Sequence, residues 1–214
     1  GTTLYTVVPN VVQAETLKYK QLERTKKREK MNVSDNKVVA TVGRAAMQKN
    51  PFFALNVIKK LLEIEDSIVF WWIGNGPLED DIKKYAAQIG IMEHFVFLGK
   101  RSDVAELYQA MDCFFLPSLF EGLPLTGVEA QAMGLPMVVS DTVTKEMVYT
   151  DLVDYVSFDA SVDVWAEHLK VALNRRGDRE CYSEQLKQSI FSDIGCGEKL
   201  TEIYKEFLRK RREK

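Results

Sequence analysis

Apolar residues along this chain follow two alternating rhythms: short unbroken runs, and stretches in which they return every three or four positions. The runs predict strands over 38–42, 67–73, 95–98 and 113–116, another after Gly134-Leu135-Pro136, and a last one over 155–158. Between the first two runs, Leu55, Ile58, Leu61 and Leu62 mark a helix face opened by Asn50 as a cap and Pro51 as a first-turn proline. Ile82, Tyr85, Ala86 and Ile89 mark a second helix, stopped at Gly90. Ser102 reads as the cap of a helix running through Met111. A longer helix is predicted over 161–173 with Val164, Trp165, Leu169 and Leu173 inward, and two more over 179–190 and 196–212. A strand-like stretch over 4–8 precedes all of these and ends at Pro9-Asn10.

Strands that are apolar throughout, each followed by a helix, predict a parallel sheet covered on both faces. The expected fold class is therefore α/β, a Rossmann-like doubly wound parallel sheet with extra C-terminal helices. Ligands of such sheets sit outside the carboxyl ends of the strands. The loops 43–49, 74–77, 99–103 and 117–126 all fall on that edge. Residues 1–36 read as an approach segment, 37–200 as the ligand-binding domain and 201–214 as the end of a C-terminal helix. Within the approach, 18–30 is highly charged with little apolar stripe. It reads as a solvated helix face, the alternative being contact of its basic run with acidic lipid headgroups.

Composition narrows the class rather than the chemistry. At 214 residues, 46% hydrophobic and 28% charged, the chain reads as ordinary globular protein, long enough for one large domain or one domain with appended helices. A formal net charge of −2 argues against nucleic acid as a partner. The longest apolar run, 68–73, is far too short to span a bilayer, and the first residues lack the basic start and cleavage pattern of a signal peptide. The three cysteines, Cys113, Cys181 and Cys196, have no paired spacing, which suits a reducing compartment and neither disulfides nor zinc. The expected setting is the cytoplasm, with peripheral contact at the inner face of the cell membrane as an extension of that reading.

Candidate chemistry concentrates between Phe114 and Asp141, where Glu121 and Glu129 stand eight residues apart. On one continuous helix they would be separated by about 12 Å along the axis. Pro124, however, fits the first turn of a helix and pushes Leu123 towards an extended conformation. That places Glu121 on a loop and Glu129 about a turn inside the helix. Between them the free N–H groups from Leu125 to Gly127 form a ready anion site. An acid, an anion hole and a second acid suit a ligand with phosphate in the middle and hydroxyl-rich groups at both ends, the shape of a nucleotide sugar. Arg44 and Lys49, after the first strand, are placed to neutralise a diphosphate, although taken alone they are ordinary solvated charges.

Other motifs are weaker. Gly74-Asn75-Gly76-Pro77 lacks the third glycine of a dinucleotide fingerprint, and Gly99-Lys100-Arg101 lacks the upstream glycine and hydroxyl of a P-loop. The first reads equally as a ligand-edge loop or a plain tight turn. The second frames a base or simply opens a helix. His94 and His168 have no nucleophile or carboxylate at a telling spacing, so no metal or triad role is assigned. Trp71, Trp72 and Cys113 read as core.

Together these residues resemble the C-terminal, donor-binding domain of a GT-B glycosyltransferase of family 4, over residues 4–208. The marks are Val8-Pro9-Asn10, Gly43-Arg44 with Lys49-Asn50, Gly74-Asn75-Gly76-Pro77, Phe97-Leu98-Gly99, and Pro117-Ser118 leading into Glu121 and Glu129. Ser118 to Leu125 is similar to capsular and exopolysaccharide members. The resemblance implies that Arg44 and Lys49 hold the donor diphosphate, aided by the Leu125 and Thr126 amides, and that Glu121 holds the transferred sugar. It implies that Glu129 accepts from the ribose and that the loop around Arg101 lines the base, with Gly122, Gly74 and Asn75 as further donor contacts. The implied reaction is retaining hexosyl transfer from a nucleotide-diphosphate sugar, expected to be a UDP-sugar, to a glycan or lipid-linked acceptor, with no essential metal or further cofactor. The acceptor would be bound by an N-terminal domain that this chain lacks, so the chain is expected to bind donor without efficient transfer. Val11 departs from the glycine usual after Pro-Asn. An epimerase of the same architecture and a non-catalytic sugar-nucleotide-binding module remain alternative readings.

Overall fold

In a computed structural model the described residues are Val8, 10–175 and 177–212, with no side chains described beyond 209. The predicted strand over 4–8 therefore lies outside them, apart from Val8. Fourteen helices and strands follow in order: α1 (Gln21–Lys30), β1 (Lys37–Val42), α2 (Pro51–Leu62), β2 (Ile68–Ile73), α3 (Glu79–Gln88), β3 (Phe95–Gly99), α4 (Val104–Ala110), β4 (Cys113–Leu116), α5 (Leu125–Ala132), β5 (Met137–Ser140), β6 (Val153–Val156), α6 (Val162–Asn174), α7 (Tyr182–Gln188) and α8 (Asp193–Arg212). All strand pairs are parallel, in the order β3-β2-β1-β4-β5-β6. The sheet is doubly wound, as expected. Alternate strand residues feed two cores: Val38, Ala40 and Trp71 face α4 and α5, while Val39, Phe70 and Trp72 face α2, α3 and α6. Burying both faces explains why the strands are apolar throughout.

Several local expectations change. The last strand is β6, two residues earlier than 155–158. Among the described residues it pairs only with the four-residue β5, from Met137↔Val153 to Ser140↔Val156. Beyond that pair the Phe158 N–H turns to the Asp141 carboxylate and ends the ladder. Ser102 does not cap α4. Asp103 holds the cap position without a side-chain cap bond, because Arg101 and Lys27 occupy its oxygens. Asn50 stands before α2 in the left-handed region (φ 52°) and makes no side-chain cap bond, whereas Pro51 takes the first turn. A short 3-10 turn, Met47–Lys49, precedes it, and the chain reverses through Asn50 to enter the helix. Val164 is 44% exposed; the inward stripe of α6 is Trp165, Ala166, Leu169, Ala172 and Leu173. The last two helices start at Tyr182 and Asp193 rather than 179 and 196.

The largest difference concerns α1. Its face is docked, not solvated: Lys27 is 5% exposed and holds Asp103 and Glu106, each at 2.7 Å. Arg24 and Arg28 grip Asp112 at 2.5 and 3.0 Å, and together they take the carbonyls of Gln109, Ala110 and Met111 at the end of α4. Arg179 adds bonds to the carbonyls of Met111 and Tyr108. Cations at a helix C-terminus complement its dipole and orphan carbonyls. His168 also has a partner, the Asp154 carboxylate at 2.5 Å, tying α6 to β6.

Candidate functional site

Strand order reverses between β1 and β4, and the crevice at their carboxyl ends is the expected ligand position of a doubly wound sheet. The two loops that leave these strands are stitched together. The Leu119 N–H donates to the Gln48 carbonyl at 2.8 Å, and Gln48 Nε2 donates to the Phe120 carbonyl at 3.0 Å. Lys49 Nζ lies 2.6 Å from Glu121 Oε1, and Ser118 Oγ donates to that same oxygen at 2.7 Å. Both side chains of the ion pair are about nine-tenths out of water, at 11% and 9% exposure. Gly43 makes room for this: a Cβ there would stand 2.5 Å from Lys49 Cε. The sequence placed Lys49 and Glu121 on one edge but carried no sign that they are partners.

The Arg44 side chain is exposed and makes no hydrogen bond or ion pair among the described residues. It lines an open groove of about 650 Å³ with Gly74, Asn75, Gly76, Glu79 and Lys100. The glycines here answer to close backbone approach. A Cβ on Gly74 would meet the Gly43 carbonyl oxygen at 2.1 Å, and one on Gly76 the Ala45 oxygen at 2.3 Å. The Ala45 N–H donates to the Asn75 carbonyl at 3.1 Å. Arg101 does not reach this groove; both arms of its guanidinium hold Asp103 at 2.8 Å. Arg101 first, then Lys27, holds the Asp103 carboxyl well below the usual carboxylate range. Lys100 is the cation that the 99–103 loop presents to the groove.

α5 starts at Leu125, with Pro124 at the cap position. The Gly127 N–H is already used, donating to the Pro124 carbonyl at 2.9 Å. The free donors are therefore Leu125 and Thr126, which find no acceptor among the described residues, and not the expected three. Gly122 lies on the exposed loop before them, where a Cβ would meet nothing. Glu129, one turn into α5, is half-buried and faces a pocket of about 270 Å³ lined also by Val11, Gln13, Leu17, Val104 and Leu125. Tyr108 Oη, from α4, donates to Glu129 Oε2 at 2.9 Å. Burial pushes the Glu129 carboxyl up and the Tyr108 hydrogen bond pulls it back. Tyr108 was missed by the sequence reading; its place on a different helix leaves no local signal. The arrangement thus holds a buried ion pair, an unpartnered guanidinium, two free amides and a carboxylate with one open oxygen around a single edge.

Residues 23–189 match the family described as Glycosyl transferases group 1. Among curated proteins the chain is 35% identical over 157 residues to "Putative glycosyltransferase EpsF" of Bacillus subtilis, which covers 72% of this chain and 41% of that protein. It is 37% identical over 140 residues to an Escherichia coli protein named "UDP-Gal:alpha-D-GlcNAc-diphosphoundecaprenol alpha-1,3-galactosyltransferase", covering 63% of this chain and 36% of that one. The chain spans about two fifths of the length of these relatives. Among solved structures, Anabaena HepE in complex with UDP superposes with a TM-score of 0.78 at 16% identity, over 94% of this chain and 57% of that one. The C-terminal domain of the group 1 protein LpcC from Francisella tularensis gives 0.67 at 15% identity, over 84% of this chain and 94% of that domain. At those identities the likeness is one of fold. The chain belongs to the group 1 glycosyltransferase family, and its architecture is that of the C-terminal half of the GT-B fold.

Proposed function

We propose that this chain is the donor-binding half of a retaining glycosyltransferase that moves a hexosyl group from a UDP-sugar to a glycan or lipid-linked acceptor. The observation that carries the reading is the pair of glutamates flanking a helix start with two free amides, at the strand-order reversal. Arg44, Lys49 and the Leu125 and Thr126 amides then take the diphosphate, where negative charge grows as the sugar departs. The open oxygen of Glu129 accepts from the ribose hydroxyls, and Glu121 accepts from the transferred sugar. The 99–103 loop borders the base, with Lys100, Asn75 and Gly74 along the same groove. Support for uridine comes from the relatives: HepE is described in complex with UDP and with UDP-glucose, and the E. coli relative is named for UDP-Gal. Support for surface-polysaccharide synthesis and a lipid-linked acceptor comes from the latter name and from "Lipopolysaccharide core biosynthesis mannosyltransferase LpsB" of Rhizobium meliloti. Among the described residues no helix is long and apolar enough to cross a membrane.

Calorimetric titration with UDP tests this directly. Arg44 has no structural partner, so Arg44→Ala should leave the fold intact and weaken UDP by about 1.5–3 kcal/mol, the range for a charged hydrogen bond. Adding Lys49→Ala, which also leaves the buried Glu121 carboxylate beside the diphosphate without its counter-charge, should weaken binding further. Unchanged affinity in the double variant would overturn the site assignment.

A further inference from the structure

Lys49 is the deepest cation at the site, yet it does not stand free to meet an anion. Its ammonium lies 2.6 Å from Glu121 Oε1, and both groups are shielded from solvent. The carboxylate is itself fixed by Ser118 Oγ at 2.7 Å and Gln48 Nε2 at 3.3 Å. The backbone bond from Leu119 to Gln48 locks the two loops that carry the pair. An approaching phosphate therefore meets a dipole rather than a unit positive charge, and water screens that dipole weakly. Arg44, exposed and with its side chain unpaired among the described residues, offers the phosphate a full charge instead.

The consequence differs for donor and product. In a nucleotide sugar both phosphates are esterified; once the sugar has left, the nucleoside diphosphate carries one further negative charge on its terminal phosphate. A carboxylate fixed beside the lysine that faces this phosphate repels the product more than the donor. Resting on the donor-site reading above, we propose that Glu121 is a positioning residue for Lys49 whose charge limits how tightly the site retains the nucleoside diphosphate product. Glu121 thus has two duties on one carboxylate, holding the sugar in the donor complex and loosening the diphosphate afterwards.

The test compares UDP and UMP, which differ by the terminal phosphate, on this chain and on Glu121→Gln and Glu121→Asp. Glutamine keeps a hydrogen-bonding oxygen for Ser118 and Lys49 but removes the charge; aspartate keeps the charge. In the wild-type chain UDP should bind less than about tenfold more tightly than UMP. Glu121→Gln should raise that ratio by about a further tenfold, the factor expected when one charged hydrogen bond gains full strength. Glu121→Asp should leave the ratio near the wild-type value. A lesion of structure alone would weaken both ligands together and leave the ratio unmoved. An unchanged or lowered ratio in Glu121→Gln overturns the proposal while leaving the donor site standing. Should that variant not fold, a wild-type ratio of a hundredfold or more overturns it equally. A wild-type chain that binds no UDP brings down the donor-site reading itself, and this inference with it.

Discussion

Glu129 sits one turn into α5 with much of its surface out of water, and among the described residues Tyr108 is the only side chain that bonds it. Burial raises its folded-state pKa above that of the unfolded chain, and the Tyr108 bond recovers part of the shift. The folded state then binds that proton more tightly than the unfolded state. Its contribution to stability is present at low pH and is lost as pH rises through the raised value. Glu129→Gln should therefore melt at a higher temperature at pH 7 and lose the decline in stability just above the ordinary carboxylate range. Its UDP affinity should fall by roughly 1–3 kcal/mol, since a neutral amide is the poorer acceptor for the ribose diol. Lower stability at pH 7 would show that the charge serves the fold instead. This glutamate was legible because Pro124 and the spacing from Glu121 placed it inside a helix start. The Lys49–Glu121 pair was not, since 72 residues separate partners that only strand order brings together.

At the scale of elements, the misread helix is instructive. Arg24, Lys27 and Arg28 recur at the spacing of a helix face, three and four residues apart, as buried apolar residues do. Apolar periodicity does not reveal their burial, because the docked stripe is cationic. Asp112 is its counterpart: it accepts from Arg24, from Arg28 and from the Val38 N–H at the start of β1. Asp112→Ala should cost about 2 kcal/mol in urea denaturation, below the 3–5 of a fully buried pair because these side chains keep 11–19% exposure. A change under about 0.5 kcal/mol would reduce the contact to surface decoration. Ser102 loses the cap of α4 to Asp103, while Asn50 holds the cap position of α2 as expected but without a side-chain bond, for a related reason. Both are good cap residues, but whether a cap forms depends on what else claims the neighbouring groups: Arg101 and Lys27 claim Asp103, and a left-handed turn claims Asn50.

For the molecule as a whole, alternation of apolar runs with helical periodicity was enough to read a parallel sheet covered on both faces. Strand order was not readable, because periodicity says which residues are buried and nothing about which strand lies beside which. That order places the loops after β1 and β4 against each other, so the site is a property of topology as much as of motif. The groove with Arg44 and the pocket at Glu129 lie at the same carboxyl edge. A second polar cleft, lined by Tyr19, Arg24, Asp112, Arg179 and Tyr182, gathers around the carbonyl end of α4, and its guanidiniums are already committed to structure. A nucleoside diphosphate is expected to bind at the first edge and not at that cleft. Amide chemical-shift mapping by nuclear magnetic resonance during titration with UDP decides between them. The largest shifts are expected on Leu125 and Thr126, with residues 43–49 and 74–76 following at the same concentration of ligand. Shifts centred on Tyr19, Asp112 and Arg179, with Leu125 and Thr126 unmoved, would contradict it.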